Sequence, residues 1–264
     1  MNTAPLLSLA VTALACFNLP VHAQVIVNFG TASTFAVLGA STVTSTGLTV
    51  ITGDLGTSPG TAITGFGPGV VHGTIYSAGA VALAAQAAAL TAYNSLAGQT
   101  ATTAGIATFA NTTLSPGVYR APSSLGLTGT LTLDGGGNAQ AVFVFQTGST
   151  LTFAVGSQVV LINGARSENV HWQVGSSATL DSAAVFAGTI FANTSITLGS
   201  GVSVDGRLFA INGALSLIGN TVSVPASAIP EPATTSLLVA GFFGLVIGAR
   251  RFHQRRTAAR AATV

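Results

Sequence analysis

The sequence is poor in charge and contains no lysine. Of its 264 residues 8 are basic and 6 are acidic, so charged residues make up 5%, against about 25% in ordinary globular domains. It has one cysteine, Cys16, which excludes a disulfide-stapled scaffold. Hydrophobic residues reach 48%, which excludes a disordered chain, because disorder requires few aliphatic residues and high net charge. These exclusions leave a folded protein rich in Gly, Thr and Ser.

The few charges are unevenly distributed along the chain. Five of the eight Arg lie in the last fifteen residues, whereas residues 24–229 hold three Arg against four Asp and one Glu. A surface with so few positive charges lacks the basic patch that binding to nucleic acid requires. We therefore expect no nucleic-acid partner.

The first 23 residues have the pattern of a secretory signal peptide. An apolar run is followed by Pro20 and by Val21-His22-Ala23, a small-x-small cleavage site before Gln24. A lipid-modified Cys16 is the alternative interpretation. If residues 1–23 are removed, the mature chain contains no cysteine, which excludes thiol redox chemistry.

The other end of the sequence carries a different signal. The motif Pro230, Glu231, Pro232 precedes an uncharged stretch, residues 233–249, and an Arg-rich tail completes residues 230–264. Seventeen uncharged residues lie at the short limit for a transmembrane segment, and the Arg cluster predicts a cytoplasmic end. The three parts in this order resemble the PEP-CTERM sorting signal of Gram-negative bacteria. The resemblance implies membrane insertion, cleavage by an exosortase-type enzyme and a secreted or cell-surface location; a plain membrane anchor is the alternative.

Residues 24–229 contain an internal repeat, the feature to look for first in a sequence of this composition. A Gly followed by a short apolar strand recurs at Gly53, Gly73, Gly188 and Gly206. A second recurring strand appears in segments such as STLTF and TSITL, and a third in TLTLD, QVVLI and VSVDG. Three short strands per repeat with Gly at the corners predict a mainly β protein, a triangular β-solenoid of about six coils whose aliphatic residues stack in the interior.

One segment interrupts the repeat. Residues 77–98 are rich in Ala and Leu and end at Gly98, which predicts a single long α-helix. Because this helix is apolar on nearly all sides, it must pack against something, and one face of the solenoid is the obvious surface.

The residues that perform catalysis are almost absent from residues 24–229. Only two His, His72 and His171, occur there. Asp54 and Asp205 each flank a corner Gly, where Asp commonly stabilises a turn. We therefore expect neither an enzyme nor a metal or cofactor site.

The second recurring strand suggests the functional surface. If Ile63, Leu125, Leu151 and their equivalents point inward, the flanking residues form two outward columns of small hydroxyl and methyl side chains. The candidate site residues are Thr42, Thr44, Ala62, Thr64, Ser124, Thr150, Thr152, Ser177, Thr179, Ser195, Thr197 and Ser216. High β-propensity explains Thr on an exposed strand, but not the lack of the charges that normally protect such strands from pairing. A flat, uncharged grid of stiff side chains predicts a surface that orders water, and ordered water can merge with ice.

Long stretches of the sequence resemble the large microbial ice-binding (ice-structuring, antifreeze-like) protein family. They include FAVLGASTVTSTGLTVITGDLGTSPGTAITGFGPG, LINGARSENVHWQVGSSATL and GTIFANTSITLGSGVSVDGRLFAINGALSL. The resemblance implies an irregular β-solenoid with a long helix alongside and an ice-binding face with the pattern Thr-Ala/Gly-x-Thr/Asn. Residues 61–64 match this pattern in full and residues 194–197 match it closely, whereas Gly126, Gly213 and Ala214 depart from it.

Two further classes of protein share some of these features. A non-catalytic cell-surface adhesin or matrix-structural β-solenoid would have the same fold and the same lack of charge. A carbohydrate-binding or pectin-cleaving solenoid would need aromatic platforms or clustered carboxylates, and the sequence contains neither. The predicted partner is therefore an ice surface, with the adhesin as the alternative.

Overall fold

Residues 27–225, which the computed structural model describes, form a single parallel sheet of 21 strands and one α-helix. The helix is α1 (Gly79–Ala97). The strands in chain order are β1 (Phe35–Gly39), β2 (Thr42–Thr46), β3 (Val50–Thr52), β4 (Asp54–Thr57), β5 (Ala62–Thr64), β6 (Val70–His72), β7 (Ile75–Ser77), β8 (Thr103–Ala104), β9 (Thr108–Leu114), β10 (Gly117–Ala121), β11 (Leu125–Asp134), β12 (Phe143–Thr147), β13 (Leu151–Phe153), β14 (Gln158–Ile162), β15 (Val170–Val174), β16 (Ala178–Leu180), β17 (Val185–Ala192), β18 (Ile196–Ser200), β19 (Ser203–Ala210), β20 (Leu215–Ile218) and β21 (Thr221–Ser223).

The strands make three flat faces, as the predicted triangular solenoid requires. The first face contains β1, β4, β7, β8, β10, β12, β15 and the C-terminal halves of β17 and β19. The second face contains β2, β5, β13, β16, β18, β20 and the N-terminal halves of β9 and β11. The third face contains β3, β6, β14, β21, the C-terminal halves of β9 and β11 and the N-terminal halves of β17 and β19.

The coils do not stack in the order of the chain. β1, β2 and β3 pair with β19, β20 and β21, so the N-terminal coils continue the stack beyond the C-terminal coil. The coil that follows α1 lies at the opposite end, because β8 pairs only with β10. The predicted joining of the coils on both sides of the helix into one solenoid is confirmed, and their order is a result of the structure.

The number of coils exceeds the prediction. Eight strands or half-strands line the second face, so about six coils is too few. The coil after α1, formed by β8 and β9, is not predicted by the repeat, because the large apolar residues after Gly105, Ile106 and Phe109, are three positions apart and do not alternate.

Alternating side chains fill the solenoid interior. Val37, Ile51 and Leu133 are fully buried there, as the period-2 pattern of the strands predicts. Trp172 stacks on Phe145 at 3.9 Å between ring centroids, which places the only Trp at the centre of the core. Burial of this apolar surface is the main favourable contribution to folding.

The predicted helix is confirmed and is shorter than residues 77–98. Ser77 belongs to β7 and its hydroxyl donates a hydrogen bond to the Thr61 carbonyl. Ala78 has a φ of +59°, which is not helical, and the helix begins at the next residue, Gly79. Within residues 27–225, α1 is long and apolar enough to cross a membrane by length and composition; about a third of it is buried in this structure.

α1 covers the first face through one stripe of small residues. Ala85, Ala89, Ala92 and Leu96, at helical spacing, pack on outward side chains of that face, among them Phe191 and those of neighbouring strands. Because Ala leaves room for close approach, the helix buries residues that would otherwise be an exposed apolar surface. The first face is therefore closed to large ligands.

Close stacking of coils explains the corner Gly at two positions. Gly188 and Gly206 are register partners in β17 and β19, with φ values of +112° and +159°. A Cβ atom at Gly206 would lie 1.6 Å from the Gly188 carbonyl oxygen. No other residue fits there without moving a whole coil.

The predicted signal peptide at residues 1–23, the motif Pro230, Glu231, Pro232 and the segment 233–249 lie outside the described residues.

Candidate functional site

The second face is a flat surface that the helix does not cover. Its outward side chains are chemically uniform. Its inward positions are those predicted from the sequence, since Leu125, Leu151 and Ile196 are at most 2% exposed. Ile63, in a terminal coil, is partly buried. None of the twelve candidate residues is buried. The side chains on either side of the inward row therefore point to solvent, as the alternation in the sequence predicted.

The outward residues of the second face form two columns in register across the coils. Along the second column, each residue is the direct partner of the next in the parallel ladder. Its members in spatial order are Thr108, Gly126, Thr152, Thr179, Thr197, Ser216, Thr44 and Thr64. With neighbouring strands about 4.8 Å apart, eight coils span about 34 Å.

The first column runs parallel to the second, two residues earlier in each coil. Its members in the same order are Ser124, Thr150, Ser177, Ser195, Ala214, Thr42 and Ala62. In the end coil the equivalent position is Ile106, which packs against the core and adds no hydroxyl group. The two columns are separated by about 6.5–7 Å along each strand. Together they form a rectangular grid, and the candidate residues from both ends of the described chain meet in it.

Hydroxyl groups of adjacent coils fix one another at several points of this grid. The Thr150 hydroxyl donates to Ser124 Oγ at 2.8 Å, and the Thr44 hydroxyl donates to Ser216 Oγ at 3.3 Å across the contact between N-terminal and C-terminal coils. Ser195 Oγ accepts a hydrogen bond from the Ala214 amide at 3.2 Å. Since Thr is also stiff at χ1, these side chains hold defined positions.

The second and third faces differ in chemistry. The strands of the second face contain no charged residue. The third face carries Asp134, Asp205 and His72, together with the exposed apolar side chains of Val70 and Val185. A regular ligand such as a crystal surface needs a regular partner, and only the second face has repeating outward residues of one kind.

Sequence reasoning missed one member of the second column, Thr108. The residue is exposed, and its register partner is Gly126. The available signal was the short alternation Thr108-Phe109-Ala110, in which Phe109 is buried and its neighbours are exposed. Thr108 was not predicted because β9 comes soon after the helix, and none of the recurring segments precedes it there.

Two titratable residues are buried on the first face, away from the grid. The guanidinium of Arg207 donates two hydrogen bonds, of 3.1 and 3.0 Å, to the Ser33 carbonyl and lies 4.7 Å from the Phe29 ring centroid. Burial, and secondarily the nearby Arg207 cation, lowers the pKa of His171 to about 3. His171 is therefore neutral at physiological pH, and both residues serve to hold residues 27–33 against the solenoid.

Among residues 27–225, no three His, Cys, Asp or Glu side chains form a group that would hold a metal ion. A shallow hollow at the corner between the first and second faces is lined by Ala40, Ser41, Pro59, Gly60, Ile211 and Asn212. These side chains offer no titratable group.

Comparison with known proteins is consistent with this geometry. The family model described as ice-binding-like matches residues 37–223. An ice-binding protein of Nostoc sp. (strain HG1) is 45% identical over 254 residues, which cover 92% of this chain and 94% of that protein.

Solved structures of similar proteins show the same fold. An ice-binding protein from the Antarctic ascomycete Antarctomyces psychrotrophicus has 40% sequence identity and a TM-score of 0.73, covering 76% of this chain and 99% of its own. One from an Antarctic biological consortium has 39% identity and a TM-score of 0.74, covering 85% and 97%. The chain belongs to the ice-binding-like family.

Proposed function

We propose that this protein binds ice through the second face and thereby inhibits ice growth or recrystallisation. The observation that carries the proposal is the in-register, uncharged column of Thr and Ser on that face. The ice-binding residues are the twelve candidates predicted from the sequence. The names of its relatives, which are ice-binding proteins from bacteria and fungi, support the same function.

The grid provides the physical mechanism. Hydroxyl groups at fixed spacing anchor water molecules, and bridging waters are nearly as favourable as direct hydrogen bonds. Methyl groups between them favour a cage-like hydration layer, which joins a growing ice plane. Charged side chains would hold water in geometries that do not fit the lattice. Ice between adsorbed molecules can grow only as curved fronts, which costs free energy and stops growth.

Substitution on the second face tests the proposal. Thr179→Tyr, and equally Thr152→Tyr, should strongly reduce thermal hysteresis and recrystallisation inhibition, because one bulky side chain lifts its neighbours away from the ice plane. Stability should change by no more than about 0.5 kcal/mol, as is usual for exposed substitutions. Activity is measured by ice-crystal microscopy and stability by urea unfolding.

Ser203→Tyr on the exposed third face is the matched control and should retain full activity. If the third-face variant loses activity and the second-face variants keep it, the ice-binding face has been assigned wrongly. If no variant matters and the wild type never shapes ice, the alternative function of a surface adhesin or matrix protein replaces this one.

For the two ends of the sequence, we propose export and surface sorting. The pattern of residues 1–23 supports removal of a signal peptide, and the order of Pro230-Glu231-Pro232, residues 233–249 and the Arg-rich tail supports processing by an exosortase-type enzyme at the membrane. Mass spectrometry of the mature protein from its host should find residues 233–264 absent. An intact Arg-rich tail would indicate a plain membrane anchor.

A further inference from the structure

The second column of the second face contains one gap. Gly126 separates Thr108 from Thr152, so these two side chains are about 9.6 Å apart instead of about 4.8 Å. On the other side of the gap, six consecutive positions carry a hydroxyl side chain, from Thr152 to Thr64. Thr108 is therefore isolated at one end of the column.

The backbone does not require glycine at this position. Gly126 pairs in regular parallel register with both neighbours and does not have the positive φ that other side chains avoid. A Cβ atom there would lie 3.7 Å from Thr108 Oγ1 and 4.0 Å from the Ala107 carbonyl oxygen, which is ordinary van der Waals contact. At Gly65, by contrast, it would lie 1.8 Å from a backbone oxygen. The fold would therefore accept a residue with a side chain at position 126, so glycine there affects the surface and is not required by the backbone.

We propose that Gly126 sets the working length of the ice-binding surface. The six hydroxyl residues on one side of it act as one continuous block, and Thr108 on the other side adds little. A hydration layer that matches ice depends on adjacent anchors, because each bridging water needs several correctly placed partners. At Gly126 the second column offers neither a hydroxyl nor a methyl group, so the ordered layer along that column ends there, although Ser124 continues the first column in the same coil. This inference rests on the proposed function of the second face.

Filling the gap tests the inference. Gly126→Thr should raise thermal hysteresis at equal protein concentration, because it joins Thr108 to the block and extends the column to eight residues. Thr108→Ala should cause at most a small loss of activity in the wild-type background and a clearly larger loss in the Gly126→Thr background. This dependence of one substitution on the other is the signature of a gap, and it is measured as a double-mutant cycle.

Gly67→Thr is the matched control. Gly67 lies in the loop after β5, has no positive φ and has no atom within 4 Å of its Cβ position, so the variant should fold and leave activity at the wild-type level. Circular dichroism and urea unfolding verify that each variant is folded. If Gly126→Thr does not fold, the smaller Gly126→Ser provides the same test.

Two outcomes would overturn the inference. Activity that is unchanged or lower in folded Gly126→Thr would show that the gap does not limit ice contact, or that it holds ordered water itself. An equal loss of activity from Thr108→Ala in the wild-type and Gly126→Thr backgrounds would show that Thr108 already contributes in full despite the gap. Thr179→Tyr separates these outcomes from failure of the proposed function: if it abolishes activity, the face is correctly assigned whatever Gly126→Thr does.

Discussion

Adjacent residues on the second face have opposite roles. Leu151 is fully buried, while Thr152, the next residue, is exposed in the second column. Truncation of Leu151 to Ala would leave a cavity that costs about 2–5 kcal/mol, whereas Thr152 contributes to the surface and little to stability. At the scale of single residues, the alternation of a strand therefore separates folding from function.

At the same scale, His171 makes stability depend on pH. Its pKa is about 3 in the folded protein and 6.5 in the unfolded chain, so between these values the unfolded state binds a proton that the folded state excludes. The contribution of His171 to the free energy of unfolding is fully present above pH 6.5. It is lost as the pH falls toward 3, by up to about 1.4 kcal/mol per pH unit. Urea unfolding at several pH values measures this slope.

The variant His171→Gln should have a shallower loss of stability below pH 6.5 than the wild type. Gln173→Ala, at a buried position two residues along the same strand, supplies the control: it should retain the wild-type slope, because it removes no titratable group. Equal slopes for the wild type and His171→Gln would contradict the explanation by burial.

At the scale of elements, two glutamine side chains attach α1 to the solenoid. Nε2 of Gln86 donates to the carbonyls of Ala210 and Ile211 at 2.9 and 2.8 Å. Nε2 of Gln146 donates to the carbonyls of Leu96 and Gln99 at 2.8 Å each. The helix has no charged residue, and its outer side leaves Leu83 59% exposed. Packing of the Ala stripe and these two amides therefore determine how the helix lies.

Replacement of either glutamine by Ala should destabilise the protein. Gln86→Ala and Gln146→Ala each remove two hydrogen bonds between the helix region and the solenoid at a buried site, at a cost of about 1–3 kcal/mol. Gln158→Ala, which removes an exposed amide on the third face, should stay within about 0.5 kcal/mol. Urea unfolding compares the three, and costs that are the same at all three sites would show that the amides do not attach the helix.

At the scale of the whole molecule, the N-terminal coils complete the stack. β1 lies between β19 and β4, and β2 lies between β20 and β5. Thr44 and Thr64 thus extend the column made by residues 152–216, so the surface that we propose binds ice is assembled from segments far apart in the chain. Because these contacts join the first and last coils of the described chain, we expect those coils to fold as one unit.

Hydrogen exchange should report this arrangement. Amides of β1, β2, β19 and β20 are covered by strands on both sides and should exchange slowly and together, whereas those of β5, β6 and β8, each paired on one side, should exchange first. Mass spectrometry of peptides after exchange resolves these segments. Exchange of residues 35–57 well before residues 203–223 would mean that the N-terminal coils form a separate unit.

Local features of this protein could be predicted from the amino-acid sequence alone. Period-2 alternation identified the inward residues of the second face, the Ala-rich interruption identified α1 to within two residues at its start, and the lack of charge singled out the grid. These features were accessible because each depends on neighbours only a few residues apart. The sorting signals at the two ends remain predictions from the same kind of local pattern.

The order of the coils, their number and the full extent of the columns could be read only from the three-dimensional structure. All strands of a solenoid have similar patterns and pair in parallel, so the sequence cannot tell which coil lies beside which. The contact of Ser216 with Thr44 and the gap between Thr108 and Thr152 depend on that order. They arise from pairing between segments far apart in the chain, where local preference carries no information and the packing of the complete core selects one arrangement.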